Sequence, residues 1–230
     1  MSKALEKVVV ALDYDDPQSA YKIVEQLGDR IDRYKIGPQL FTHAGLDAIR
    51  FLQAHRKRVF LDLKLYDTPQ VVARSIERFA GLGVEFATVH CLGGRTMLEA
   101  AGSACRGSTL RLLGVTLLTS QGAPDSYNWG WTETESGMVQ RLAALGMESR
   151  LAGVLCSPQE LEMLRPKTVP GFLLVTPGIR LPGKEVFQDD QRRTSSPVEA
   201  IDRGADLLIV GRPLTQSPEP HRVLDELFAS

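Results

Sequence analysis

The sequence predicts an α/β protein built as a single (β/α)8 TIM barrel spanning residues 1–230. Eight short apolar runs recur along the 230 residues. Most are rich in Val, Ile and Leu and lack polar–apolar alternation, as strands buried on both faces of a parallel sheet do. Longer amphipathic stretches separate them, the pattern of repeated strand–helix units. A doubly wound open sheet is the rival architecture. It would normally carry a glycine-rich loop after its first strand, and here that strand is followed by Asp13-Tyr14-Asp15-Asp16.

The runs predict strands over 8–12, 33–36, 59–63, 86–90, 111–118, 153–156, 172–176 and 206–210. Asp16 with Pro17 marks the start of a helix over 17–27, since Pro suits the first helical position. A second helix starts after Thr68 and runs over 69–83 into glycines, which favour a helix stop. Ser157 with Glu160 three residues later reads as a capping box.

The formal net charge is −1, which points neither to nucleic acid nor to a membrane surface. No apolar run approaches the ~20 residues needed to cross a bilayer. The start has no apolar segment before a cleavage site. Cys91, Cys105 and Cys156 are an odd set without C-x-x-C spacing, as expected for reduced thiols of a cytoplasmic protein.

Barrel enzymes assemble their chemistry at the C-terminal ends of the strands. Those ends carry Asp13, Lys35, Asp62 with Lys64, His90, Thr119 with Ser120, Ser157, Arg180, and Gly211 with Arg212. Charges at the ends of apolar strands are costly unless paired or used. Asp62 and Lys64 stand two apart on one strand and share a face. Asp67 lies in the following loop, and Lys35 ends a neighbouring strand. A structural ion-pair network would account for a lone Asp–Lys pair; D-x-K-x-x-D with a second lysine one strand away favours a catalytic array. Neighbouring carboxylates favour the charged form of an amine. Such an ammonium can act as a general acid, or stabilise negative charge developing on carbon.

Two segments read as phosphate binders. In LLIVGRPLT (207–215) a strand leads through Gly211 and Arg212 into a short helix; the glycine admits an anion, the helix offers amide donors, and Arg212 adds a bidentate cation. The long segment 176–197 carries Arg180, Gln191, Arg192 and Arg193, some within reach of an anion and others solvated. His90 reads as a satisfied core histidine, Cys156 as an apolar filler, and Trp129 and Trp131 as rim packing.

Through these motifs the chain resembles the orotidine 5′-phosphate decarboxylase family over nearly its whole length. The matching blocks are VVVALDYDD (8–16), YKIGPQLF (34–41), VFLDLKLYDTP (59–69), TVHCLGG (88–94), LLGVTLLTS (112–120), TPGIR (176–180), DDQRR (189–193) and LIVGRPLT (208–215). The resemblance implies decarboxylation of orotidine 5′-phosphate to uridine 5′-phosphate, without metal or other cofactor. Asp13 would bind a ribose hydroxyl and Lys35 the ribose. Asp62 would sit by the substrate carboxylate, and Lys64 would protonate C6. Asp67 would act in the partner subunit's site of a homodimer, with Thr68 beside it among the substrate-binding residues. Thr119 and Ser120 would lie at the pyrimidine, Arg180 in the binding loop, and Gln191, Gly211 and Arg212 on the phosphate. Asp67-Thr68-Pro69-Gln70 departs from the family's frequent D-I-P-N, and Tyr66 stands where His or Phe is common. The loop between Arg180 and Gln191 is also somewhat longer.

The nearest alternative is a magnesium-dependent phosphosugar decarboxylase or aldolase of the same barrel superfamily. Those relatives share D-x-K-x-x-D but carry an acidic residue at the end of the second strand, where this chain has Lys35. A barrel that only binds a phosphorylated ligand is a further alternative, which leaves the Lys–Asp array without a purpose.

Overall fold

The structure, a computed structural model, describes residues 4–121, 128, 130–181 and 193–228. Eight parallel strands follow one another around a closed barrel: β1 (Val8–Ala11), β2 (Arg33–Ile36), β3 (Arg58–Leu65), β4 (Phe86–His90), β5 (Arg111–Val115), β6 (Gly153–Leu155), β7 (Leu173–Thr176) and β8 (Leu207–Val210). Closure comes from β1 pairing with β8, Val9 opposite Ile209 and Val10 opposite Val210. Among the described residues the helices are α1 (Pro17–Leu27), α2 (Pro38–Ala44), α3 (Leu46–Ala54), α4 (Pro69–Gly81), α5 (Gly94–Ala104), α6 (Glu135–Glu148), α7 (Leu161–Leu164), α8 (Pro197–Asp202), α9 (Arg212–Thr215) and α10 (Pro220–Glu226).

The apolar runs do not alternate because both strand faces are covered. Val9, Ala11, Phe60, Phe86, Leu113, Leu155, Val175, Leu207 and Ile209 fill the barrel interior. Val8, Val10, Leu61, Ala87, Leu112, Val154, Leu174 and Leu208 face outward and pack with the helices. The interior is therefore solid below the strand ends, with the Phe60 and Phe86 rings meeting edge-on at 5.7 Å. Ion pairs such as Arg33–Glu85, at 2.9 Å, sit at the N-terminal ends of the strands. The open, polar end is the C-terminal one.

The expected α1 is present, and Asp16 accepts hydrogen bonds from the Gln18 and Ser19 amides. Thr68 precedes α4 but its side chain does not cap it; its own amide donates instead to Asp67 Oδ1 at 2.6 Å. The segment after Ser157 is shorter than a regular helix, a 3₁₀ turn (Pro158–Glu160) followed by α7. There the Glu160 carboxylate accepts from the Ser157 amide at 2.7 Å.

Two strands end elsewhere than expected. β5 stops at Val115 rather than 118: Thr116 Oγ1 turns to donate to the Leu155 carbonyl at 2.8 Å, and the chain bends through a turn in which the Gln121 amide donates to the Leu118 carbonyl. β3 continues past 63 to Leu65. Its register against β4 slips on the way, because Leu61 pairs with Ala87 but Leu65 pairs with Val89. Four steps along β3 thus match two along β4, a bulge that thickens the strand where Asp62 and Lys64 stand.

Candidate active site

A cavity of about 550 Å³ opens at the C-terminal mouth of the barrel. On one wall stand Asp13, Lys35, Asp62 and Lys64; on another, Pro177, Gly178, Arg180, Gly211, Arg212 and Thr215; Thr119 and Ser120 line it between them. The strand-end residues expected from the sequence are thus largely brought together.

The four charged groups alternate in sign. Lys64 Nζ donates to Asp62 Oδ2 at 2.8 Å, and Lys35 Nζ lies 3.4 Å from the same oxygen. Lys35 also donates to Asp13 Oδ1 at 3.1 Å. Side-chain exposure rises outward along the array, from 3% at Asp62 and 9% at Lys35 to 31% at Lys64 and 51% at Asp13. Gly37 permits this packing: a Cβ there would lie 2.9 Å from Asp13 Oδ1 and 3.2 Å from Lys35 Nζ.

Burial and charge oppose each other at the two innermost groups. Burial alone would raise the Asp62 pKa, but Lys35, Lys64 and hydrogen bonds from Lys64 and Thr88 bring it below the usual value. Burial alone would lower the Lys35 pKa, but Asp62 and Asp13 bring it above the usual value. Asp62 therefore contributes stability that is lost as pH falls through its depressed folded pKa, and Lys35 contributes stability lost as pH rises through its elevated one. Wild type is expected to lose unfolding free energy more steeply than Asp62→Asn as pH is lowered past 3.8, the ordinary Asp value. Urea denaturation of both proteins across the acid range checks this, and parallel slopes would contradict it.

Lys64 is held in an unusual backbone conformation, with φ +48°. Non-glycine residues in the left-handed region are uncommon, and such strain tends to mark functional positions. Asp62 and Lys64 do share a face, as expected, but through the bulge rather than through a regular strand.

The arginine-bearing wall is built by β7, β8 and their loops. The feet of the loop after β7 are joined, the Arg180 amide donating to the Ser195 carbonyl at 3.0 Å and the Ser195 amide to the Gly178 carbonyl at 3.2 Å. Gly211 precedes α9 and Arg212 opens it. Tyr14, which sequence reasoning passed over, ties the first loop to this wall: its hydroxyl donates to the Thr215 carbonyl at 2.7 Å. An aromatic next to a site aspartate was the signal available for it.

Several expected residues stand elsewhere. Asp67 is exposed, and neither it nor Thr68 lines the cavity of its own chain. Arg193 does not reach toward an anion; it pairs with the buried Glu160 and donates to the Leu118 carbonyl at 3.0 Å. His90 is only half-buried, not a core residue: its Nδ1 accepts from the Leu92 amide at 3.3 Å and its ring lies 5.6 Å from Tyr66. Burial, then Lys64, depress its pKa. Cys156 is buried at the cavity wall, where burial raises its thiol pKa. Trp131 packs against the outer core. Gln191, Arg192 and Trp129 lie outside the described residues.

A closed parallel barrel with a lysine–carboxylate array facing an arginine-lined loop wall defines an enzyme of the phosphate-binding (β/α)8 class. The comparison with known proteins narrows the class: the profile of the orotidine 5′-phosphate decarboxylase / HUMPS family matches residues 6–227, and the chain belongs to that family. It is 43% identical to the orotidine 5′-phosphate decarboxylase of Nitrosospira multiformis over 221 residues, which are 96% of this chain and 92% of that one. It is 40% identical to that of Pelobacter propionicus over 227 residues, 97% and 94% of the two chains. Among solved structures, the orotidine 5′-phosphate decarboxylase of Lactobacillus acidophilus superposes with a TM-score of 0.82 at 34% identity, covering 97% of this chain and all of that one.

Proposed function

We propose that the protein decarboxylates orotidine 5′-phosphate to uridine 5′-phosphate, the carboxy-lyase reaction of pyrimidine nucleotide synthesis, with Lys64 as the proton donor. The single observation that carries the reading is Asp62 Oδ2 held between the Lys64 and Lys35 ammonium groups at the cavity wall. In the step envisaged, the bond from C6 to the carboxylate breaks and CO2 leaves. The electron pair stays on C6, and the Lys64 ammonium supplies the proton that forms the new C6–H bond. The neutral amine then regains a proton from solvent. Negative charge that develops at C6 meets a cation already in place, which needs no reorganisation during the reaction.

Asp13 and Lys35 are suited to the ribose hydroxyls, and Thr119 and Ser120 to the pyrimidine edge. Arg180, Gly211 and Arg212, with Gln191, are assigned to the phosphate. Binding energy collected there, far from the reacting carbon, can support the chemical step. No metal enters this scheme. A divalent cation at Asp62 would have to displace two ammonium groups, which disfavours the magnesium-dependent alternative. The test is loss of the orotate chromophore with purified protein in excess chelator. Full turnover supports the cofactor-free reading; turnover that disappears with the chelator and returns with magnesium overturns it.

Asp67 and Thr68 are assigned to the neighbouring subunit's site in a homodimer. Their exposure and absence from the cavity of their own chain support this. Mixing inactive Asp67→Ala and Lys64→Ala subunits is expected to restore roughly a quarter of wild-type activity, because half of randomly paired dimers would hold one intact site. Mixtures as inert as either parent would argue against shared sites. We place the enzyme in the cytoplasm as one catalytic domain over 1–230, with no nucleic-acid or membrane partner. Among the described residues no helix is long and apolar enough to cross a membrane, and Cys91, Cys105 and Cys156 are free thiols.

A further inference from the structure

We infer that Thr88 is a positioning residue for the catalytic pair, one hydroxyl on β4 fixing both the Asp62 carboxylate and the backbone of Lys64; this rests on the decarboxylase reading above. Thr88 Oγ1 donates to Asp62 Oδ1 at 3.0 Å and accepts from the Lys64 amide at 2.8 Å. The side chain is fully buried.

The need for this hydroxyl follows from the bulge. Where β3 slips against β4, between Leu61 and Leu65, the regular ladder is interrupted. The Lys64 amide then requires an acceptor from outside the ladder, since a buried donor left without one costs about 1–3 kcal/mol. The same residue carries the strained φ of +48°, a conformation that persists only when its surroundings hold it. Thr88 supplies the acceptor. A hydroxyl has a single proton, and Thr88 commits it to Asp62.

The two bonds act on different parts of the array. The bond to Oδ1 sets the carboxylate rotamer and leaves Oδ2 turned toward Lys64 and Lys35. The bond from the Lys64 amide sets the base of the lysine side chain and hence the origin from which its ammonium reaches the cavity. Thr88 itself does not line that cavity, so it acts through these two residues and not on the nucleotide.

The experiment compares Thr88→Val and Thr88→Ser with wild type. Valine keeps the shape and removes both bonds; serine keeps the hydroxyl and loses the methyl. Thr88→Val is expected to lower kcat by about 100-fold, the scale of an ångström misplacement of a reacting group. KM is expected to stay within about threefold, since the phosphate and ribose contacts are untouched. The acid limb of its kcat profile should move to higher pH, because Asp62 loses a hydrogen bond that favours its charged form. Thr88→Ser should retain kcat within about threefold of wild type even if packing loss lowers its melting temperature.

Wild-type turnover is measured first, and protein inert toward the nucleotide overturns the functional reading and this role together. With active wild type, folded Thr88→Val that keeps kcat, or loses KM and kcat alike with an unmoved pH profile, overturns the positioning role alone. Should the valine variant not fold, Thr88→Ser decides: retained kcat supports the role, and a 100-fold fall in a folded serine variant overturns it.

Discussion

Replacing Lys64 with alanine is expected to reduce turnover of orotidine 5′-phosphate by at least about 10⁴-fold, combining a lost general acid with a lost preorganised charge. The ammonium is the outer member of a pair whose inner member, Asp62, is almost wholly buried. Removing it takes away the donor without opening the barrel below, because the interior under the site is packed with Phe60, Phe86 and aliphatic side chains. The affinity for uridine 5′-phosphate should change by less than about tenfold, since the product presents no reacting carboxylate and the ammonium is already partnered by Asp62. Single-turnover kinetics beside product titration separates the two effects. A variant that keeps turnover within tenfold of wild type would remove Lys64 from the chemistry.

Arg212→Ala is expected to weaken uridine 5′-phosphate by about 2–3 kcal/mol, the scale of a lost charge-assisted contact. That corresponds to roughly 30–150-fold in dissociation constant. Uridine, which lacks the phosphate, should bind the variant and wild type alike. The contrast between the two ligands isolates the phosphate contact from any general disturbance of α9. Turnover should fall with the affinity, and kcat/KM more than KM alone, if phosphate binding energy is used in the chemical step. Equal losses for nucleotide and nucleoside would move the phosphate site elsewhere.

Much of the fold and of the site is legible in the chain's local patterns. Parallel strands buried on both faces leave runs such as VVVAL and LLIV without alternation, and Asp16-Pro17 marks a helix start because capping is local chemistry. The polar residues that break the apolar strands at their C-terminal ends are visible for the same reason: a barrel core does not tolerate Asp62 or Lys35 unless they are paired or used. The features that resist such reading involve partners far apart in the chain. Tyr14 reaches Thr215, and Arg193 returns to Glu160 and Leu118. Neither arginine nor tyrosine announces its partner locally.

By itself, the sequence determined the barrel class, the strand ends at which polar residues gather and the types of those residues, since each follows from local periodicity or from the cost of a charge beside an apolar strand. Only the tertiary structure decided that β3 gains two residues on β4, that Lys64 adopts a left-handed backbone, and that the Thr88 hydroxyl holds it beside Asp62. Periodicity states which face a side chain takes. What stands opposite depends on register between strands, and register is settled by packing and hydrogen bonding across the closed sheet.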